Sequence, residues 1–337
     1  GKKIVGYHKG YNKWYLVTIT DLNNQIDIDP CSIEVRRGYP YSSLDDKDAW
    51  KKKKKDKNSN FVLSEEEMEI VSREPSYPLF IGGRAGSGKS TVLQYLFAEI
   101  ILRYLKSMIN KDILFPPVYL SYSENLIENA KVLASSLFEK NHAYQKAFED
   151  TFKETGRNFE NDIKPNMDKL FGVFQDVIKE CIGEKNQTVL RERFAKSKYT
   201  SFSRFNAEWD KKFAKDPEAT KKYGPSLSWY VIRTYIKGWD SESYLTPEDY
   251  KKIGEKNKNV SDDTYKLIYD KVWVGWYSNF NDKWDDQDLV RYCISPDDKS
   301  EKTYATERYS AIFCDEAQDF TRVEIDFILK VSSFSNR

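Results

Sequence analysis

Tyr77-Pro78-Leu79-Phe80-Ile81-Gly82-Gly83-Arg84-Ala85-Gly86-Ser87-Gly88-Lys89-Ser90-Thr91 decides the fold class of this chain. An apolar pentad, a G-x-x-x-x-G-K-S loop and an apolar-periodic run from Thr91 to Ile100 read in order as strand, phosphate-binding loop and helix start. Gly83, Gly86 and Gly88 let backbone N–H groups turn inward around phosphate oxygens at the positive end of that helix. Lys89 would neutralise the β- and γ-phosphates and Ser90 would offer its hydroxyl to Mg²⁺, with Arg84, Ala85, Ser87 and Thr91 completing the binding loop. The bland alternative, a Gly-rich turn without a ligand, is set against a pattern that average glycine usage rarely produces in a chain this long. The expectation is an α/β fold that binds a nucleoside triphosphate.

A second half of the site is expected near the end of the chain. Tyr309-Ser310-Ala311-Ile312-Phe313-Cys314-Asp315-Glu316-Ala317-Gln318-Asp319-Phe320 is an apolar run that ends in acids. Parallel strands in such a sheet present their carboxyl ends to the ligand crevice. Asp315 is therefore expected in the metal shell, and Glu316 is expected to orient or deprotonate the attacking water. Two acids after an apolar run are commonplace alone, and it is the pairing with the Gly-rich loop that points to catalysis.

Together, Gly-Arg-Ala-Gly-Ser-Gly-Lys-Ser and Asp-Glu-Ala-Gln-Asp resemble the superfamily 1 helicases of the UvrD/Rep type, whose acidic motif reads D-E-x-Q-D. The resemblance implies a RecA-like P-loop domain using ATP and Mg²⁺, with hydrolysis coupled to translocation on, or unwinding of, nucleic acid. It implies catalytic roles for Lys89, Glu316 and Gln318, the last as sensor of the γ-phosphate, and a supporting role for Asp319. Between the two motifs lies far more chain than one crossover needs, so an inserted subdomain is expected, as in that family. Ser135 to Lys153, Lys164 to Lys179 and Asp263 to Phe280 are long, charged and apolar-periodic, and read as helices.

Weaker likenesses concern nucleic acid. Val118 to Asn125 stands where the family's next strand runs into a loop touching single strands, and there Tyr122, beside Ser123, can stack on a base. An ordinary strand end is the alternative reading, and the family's usual lysine is missing. Tyr199 to Ser203 resembles the T-F-H-S motif that grips the strand, with Thr200 and Phe202 as contacts, a displaced Phe and no His. Ahead of the loop, Glu67 stands where the family has an adenine-reading Gln, and Ser64 with Glu67 also forms a helix capping box. A carboxylate cannot donate to adenine N7, which puts adenine specificity in question.

A narrower resemblance runs through Trp229, Ile232, Lys237-Gly238, Leu245-Thr246, Tyr250, Asp286-Gln287-Asp288-Leu289-Val290 and the acidic motif with Phe320-Thr321. It is similar to the helicase-like module of large tetratricopeptide- and ankyrin-repeat proteins and their bacterial relatives. That resemblance assigns no chemistry to these residues.

The chain has 337 residues, 15% aromatic and 39% hydrophobic, which describes a globular protein with ample core. Its net charge of +1 leaves nucleic-acid binding to a local basic face rather than a global field. Cys31, Cys181, Cys293 and Cys314 lack metal-ligand spacing. No apolar run reaches membrane-span length and no signal peptide opens the chain, so a soluble cytoplasmic protein without a membrane partner is expected.

Four regions are expected: a small β-rich element with a basic linker over 1–57, the first part of the RecA-like domain over 58–135, a mostly helical insertion over 136–305, and the second part of the RecA-like domain over 306–337. Lys51 to Lys55 reads as a solvated linker or a phosphate-contacting tract. The chain opens at Gly1 and stops soon after the acidic motif, and is expected to be a fragment whose partner is the rest of the same polypeptide, carrying a second RecA-like domain. Single-stranded nucleic acid is the other expected partner, DNA favoured over RNA. Two rivals stay open: an RNA helicase, and an ATP-gated switch or scaffold in a large intracellular complex, of the kind used in defence against phage.

Overall fold

The computed structural model describes residues 2–8, 13–19, 63, 65–72, 78–84, 87–109, 115–140, 149, 164–280, 282–296 and 303–333. The chain forms two compact units, Gly1–Phe171 and Gly172–Arg337.

In the first unit, strands β1 (Lys2–His8) and β2 (Lys13–Ile19) form an antiparallel pair, in register from Lys2 opposite Ile19 to His8 opposite Lys13. Helix α1 spans Glu65–Ser72 and α2 spans Lys89–Ile109. On α2 the residues Val92, Leu96, Ala98, Ile101, Leu102 and Leu105 are buried, a spacing that puts one continuous apolar stripe against the core. Strand β3 (Val118–Ser121) is buried along its whole length, as a strand covered on both faces must be. Its Tyr119 N–H donates to Leu170 O at 2.8 Å. The rings of Phe97, Tyr119 and Phe171 meet pairwise with centroids 5.2–5.7 Å apart, joining α2 and β3 to Phe171. Helix α3 (Glu124–Lys140) follows β3 and buries Ile127, Ala130, Ala134, Leu137 and Phe138.

Two expectations are corrected here. Lys164 to Lys179 is not one helix: a short α4 (Lys164–Asp168) gives way to β4 (Phe171–Val173), and α5 (Phe174–Gly183) begins after it. The backbone bond at Leu170 and the Phe171 ring contacts are tertiary interactions, and they override a locally helical pattern. Pro78 to Ile81 of the apolar pentad before the loop form no strand either. Residues 78–84 carry no regular structure, and Phe80 is 86% exposed. Apolarity marks a segment for pairing, but a strand exists only where a neighbour takes its hydrogen bonds. Of the helix expected from Ser135 to Lys153, the stretch to Lys140 belongs to α3, and the remainder lies outside the described residues apart from helical Glu149.

In the second unit every named element from Phe174 to Ile294 is helical. α6 (Gln187–Glu192) is followed by α7 (Phe202–Phe213), α8 (Pro217–Lys222) and α9 (Pro225–Val231), with α9 widening into a π turn over Ile232–Ile236. α10 (Pro247–Lys252) precedes α11 (Asp262–Ile268), which also continues as a π turn, Tyr269–Val274. Their core is aromatic: Phe205, Trp209, Tyr235, Tyr250, Tyr265, Trp276 and Tyr277 are all buried. Tyr250 and Tyr265 stack face to face at 3.8 Å, and the Tyr265 hydroxyl donates to Leu245 O at 2.8 Å. α12 (Asp286–Ile294), β5 (Ile312–Cys314) and α13 (Arg322–Val331) complete the unit. Both α12 and α13 begin with a full capping box, from Asp285 and Thr321.

Candidate nucleotide and acidic sites

The Gly-rich loop feeds directly into α2, whose first residue is Lys89. Gly88 stands at φ +82, a backbone conformation that favours glycine. Its carbonyl accepts the first-turn bond from Val92 N–H at 2.9 Å. The Lys89 ammonium donates to the Gly83 and Arg84 carbonyls, each at 3.1 Å, and Ser87 N–H closes the loop onto Arg84 O at 3.1 Å. The positive end of a 21-residue helix, a lysine held across the loop and a half-buried Ser90 in the first turn make an anion-binding set. Arg84 and Ser87 are exposed and Thr91 is half-buried, whereas Ala85 and Gly86 lie outside the described residues. Glu67, buried on α1, brings its carboxylate up against Gly88, where an added Cβ would collide with it. Burial and this carboxylate together raise the Tyr95 phenol on α2. Glu67 therefore packs against the loop; its capping partner Ser64 lies outside the described residues.

In the second unit, β5 delivers its acids at its carboxyl end. Asp315 is buried and its Oδ1 accepts from Glu316 N–H at 3.1 Å. Burial pushes the thiol of Cys314, one residue earlier, up to about 12, so it packs as a neutral group. Glu316 sits in the left-handed region at φ 54 and ψ 45, the one non-glycine at positive φ among the described residues. Such a conformation costs about 1–2 kcal/mol and persists where the surroundings impose it, commonly at functional sites. The tight turn Ala317–Asp319 follows, and Gln318 Nε2 donates to Glu316 Oε2 at 2.5 Å. Glu316, Gln318 and Asp319 are exposed, so their polar groups are available at the surface.

The model of the UvrD/REP helicase N-terminal domain matches residues 63–336. The chain belongs to the UvrD/Rep helicase family. It is an ATP-binding core region of a superfamily 1 helicase, with the mixed α/β, RecA-like P-loop fold of that family. No curated protein sequence matches it significantly. Among the described residues no helix is long and apolar enough to cross a membrane.

The family's nucleic-acid positions fare unequally in this helicase. Tyr122 and Ser123 lie half-buried in the bend after β3. Ser123 begins α3, its hydroxyl accepting from Leu126 N–H at 3.4 Å and its carbonyl from Ile127 N–H at 3.0 Å. Thr200 is 2% exposed, with its N–H on Trp284 O at 2.7 Å, and so holds the chain from inside. Phe202, 40% exposed at the start of α7, is the member of that pair that presents surface.

Sequence reasoning missed a buried polar network in the second unit. Lys237 Nζ lies 2.6 Å from both Asp285 Oδ2 and Asp288 Oδ2, and Tyr277 donates to Asp285 at 3.0 Å. Burial opposes the Lys237 charge, but the two carboxylates more than offset it and raise its pKa. Gln287 Nε2 reaches Glu324 Oε1 at 2.5 Å, and Thr321 Oγ1 donates to Gln287 Oε1 at 3.0 Å. The landmarks Lys237-Gly238, Asp286-Gln287-Asp288 and Thr321 thus share one interior assembly. The Thr321-x-x-Glu324 capping box was readable in sequence, whereas nothing there marked Lys237 as buried.

Proposed function

We propose that this helicase region hydrolyses ATP and drives movement along single-stranded nucleic acid, DNA in preference to RNA. The observation that carries hydrolysis is Glu316, held in a strained left-handed backbone immediately after the buried Asp315 at the end of β5. In this reading Lys89, with the loop Gly83, Arg84, Ala85, Gly86, Ser87, Gly88, Ser90 and Thr91, takes the phosphates. Glu316 accepts the proton of the attacking water, and Gln318, hydrogen-bonded to Glu316, orients it and senses the γ-phosphate. Ser90 and Asp315 would hold Mg²⁺. The donor set fits that ion, which is usually held by one or two carboxylates and substrate phosphates rather than by an all-protein cage. Bound there, Mg²⁺ would neutralise charge developing on the phosphate oxygens.

We further propose that residues 58–135 and 306–337 form a RecA-like domain with 136–305 inserted, and that a second RecA-like domain elsewhere in the same polypeptide closes over the nucleotide. Tyr122 and Phe202 would offer base-stacking surfaces, with Ser123 and Thr200 setting the backbone beneath them. One observation favours a second reading, an ATP-gated switch that unwinds nothing: Thr200 is buried and Ser123 serves as a helix cap, so the strand-gripping set is thin. The test is ATP turnover by the full-length protein with and without single-stranded DNA or RNA, beside Glu316→Gln. Turnover stimulated by polymer and lost in the variant supports the motor; turnover blind to both polymers supports the switch; equal turnover in the variant refutes the assigned base.

A further inference from the structure

We propose that Arg233, on the π turn that ends α9, is a positioning residue for the turn carrying Gln318. The proposal rests on the ATPase reading of Glu316 and Gln318. The guanidinium is a planar fork that reaches both a buried carboxylate and the turn. Nη2 lies 3.3 Å from each oxygen of Glu324, and Nη1 donates to the Asp319 carbonyl at 3.1 Å. Glu324 is fully buried. Its Oε1 also takes Gln287 Nε2 at 2.5 Å and its Oε2 takes Thr321 N–H at 2.6 Å. One arm of Arg233 is therefore anchored to a fixed carboxylate, and the other is left to clamp a backbone carbonyl.

That carbonyl closes the turn Ala317–Asp319. Glu316 lies at its near end in the left-handed conformation, with its carbonyl accepting Asp319 N–H at 2.9 Å. Gln318 stands between the two ends, hydrogen-bonded to Glu316. Holding the Asp319 carbonyl fixes the far end of a turn whose near end is strained, and this keeps Gln318 and Glu316 facing each other. The π turn gives the reach: Lys237 N–H bonds back to Ile232 O at 2.9 Å, five residues away, and the wider turn re-aims Arg233. Val323 N–H donates to Gly238 O at 3.0 Å, so the same helix end also touches the first turn of α13. The arrangement needs arginine, because a lysine ammonium offers a point charge and no second planar arm.

A merely structural role for Arg233, tying α9 to α13 through Glu324, predicts lost stability and nothing else. The deciding variant is Arg233→Lys, which keeps a cation for Glu324 and gives up the second arm. In the full-length protein, kcat and KM for ATP, melting temperature and amide exchange at Asp319 and Phe320 are measured for the wild type, Arg233→Lys, Arg233→Gln and Glu316→Gln. The expected result for Arg233→Lys is a kcat lower by about tenfold with KM within about twofold, the pattern of an interaction that matters in the transition state. Exchange at the two turn amides should speed up while α12 and α13 stay protected. Wild-type kcat together with wild-type protection of the turn would overturn the proposal, as would a kcat loss matched by general loss of protection. If Arg233→Gln does not fold, Arg233→Lys decides alone. Absence of ATP turnover in the wild type would overturn the ATPase reading instead, and the turn amides would still decide the clamp.

Discussion

Replacing Lys237 with methionine removes the cation from a buried site and leaves two carboxylates there. The lysine side chain is 4% exposed, that of Asp285 6% and that of Asp288 21%, with both contacts at 2.6 Å. Removing one partner of a buried ion pair costs about 3–5 kcal/mol, because the partner charge stays behind without compensation. Asp285 keeps the Tyr277 hydroxyl and the Gln287 N–H, each at 3.0 Å, which places the cost near the lower end, about 3 kcal/mol. For a unit of this size that is a fall in melting temperature of roughly 6–12 °C. The pH dependence has a definite sign. Burial and Asp285 already raise Asp288, with Lys237 opposing them, so its loss raises the folded-state pKa further. A carboxylate whose folded pKa exceeds its unfolded value binds more protons in the folded state, and stability falls as pH rises through that window. The penalty should therefore be largest at pH 7–8 and shrink toward pH 4, above which unfolded carboxylates ionise. The triple variant Lys237→Met, Asp285→Asn, Asp288→Asn should recover most of the loss, since asparagine caps a helix about as well as aspartate. Urea unfolding followed by tryptophan fluorescence reads all of this, with Trp273 5.8 Å from the ammonium as reporter. A Lys237→Met variant within about 1 kcal/mol of wild type at pH 7.5 would refute the view that these three charges are buried and paired.

Gly238→Ala should destabilise by at least about 2 kcal/mol, as overpacking against immobile backbone does. The new Cβ would collide with Arg233 O and stand 2.9 Å from Thr321 Cβ and 3.0 Å from Thr234 O; a melting curve coinciding with wild type would show that the helix end is not held so tightly. Glu316→Gly should abolish ATP turnover while the melting temperature holds or rises, since relief of roughly 1–2 kcal/mol of left-handed strain is set against glycine's greater chain entropy. A drop of several degrees would argue against strain at that residue. Phe202→Ala should weaken binding of a fluorescent single-stranded oligonucleotide by about 1–3 kcal/mol with little change in melting, and unchanged anisotropy titrations would return Phe202 to an ordinary surface role.

How much was legible depended on how far each signal reaches along the chain. The loop from Gly83 to Thr91 and the Asp315–Asp319 motif were readable because their chemistry is local: glycine conformations, a lysine and serine at a helix start, acids after a strand. Helical periodicity located α2 and the start of α11 for the same reason. Local pattern failed at Lys164 to Lys179, where a backbone bond at Leu170 and the Phe97, Tyr119 and Phe171 rings impose a strand. It failed again at Leu79 and Phe80, whose apolarity promised a strand that residues 78–84 do not form.

By itself, the sequence determined the family and the identity of the loop residues and acids on which the proposed nucleotide chemistry rests, all written in short contiguous motifs. Tertiary structure alone decided that Thr200 turns inward while Phe202 faces out. It also decided that Glu316 is bent into the left-handed region, and that Arg233, Lys237, Gln287 and Glu324 form part of a single interior polar assembly. The physical reason is that burial and pairing of charge depend on residues brought together from distant points in the chain. Lys237 and Asp288 are 51 residues apart and Arg233 and Glu324 are 91 apart, separations that no local periodicity or motif spacing can register.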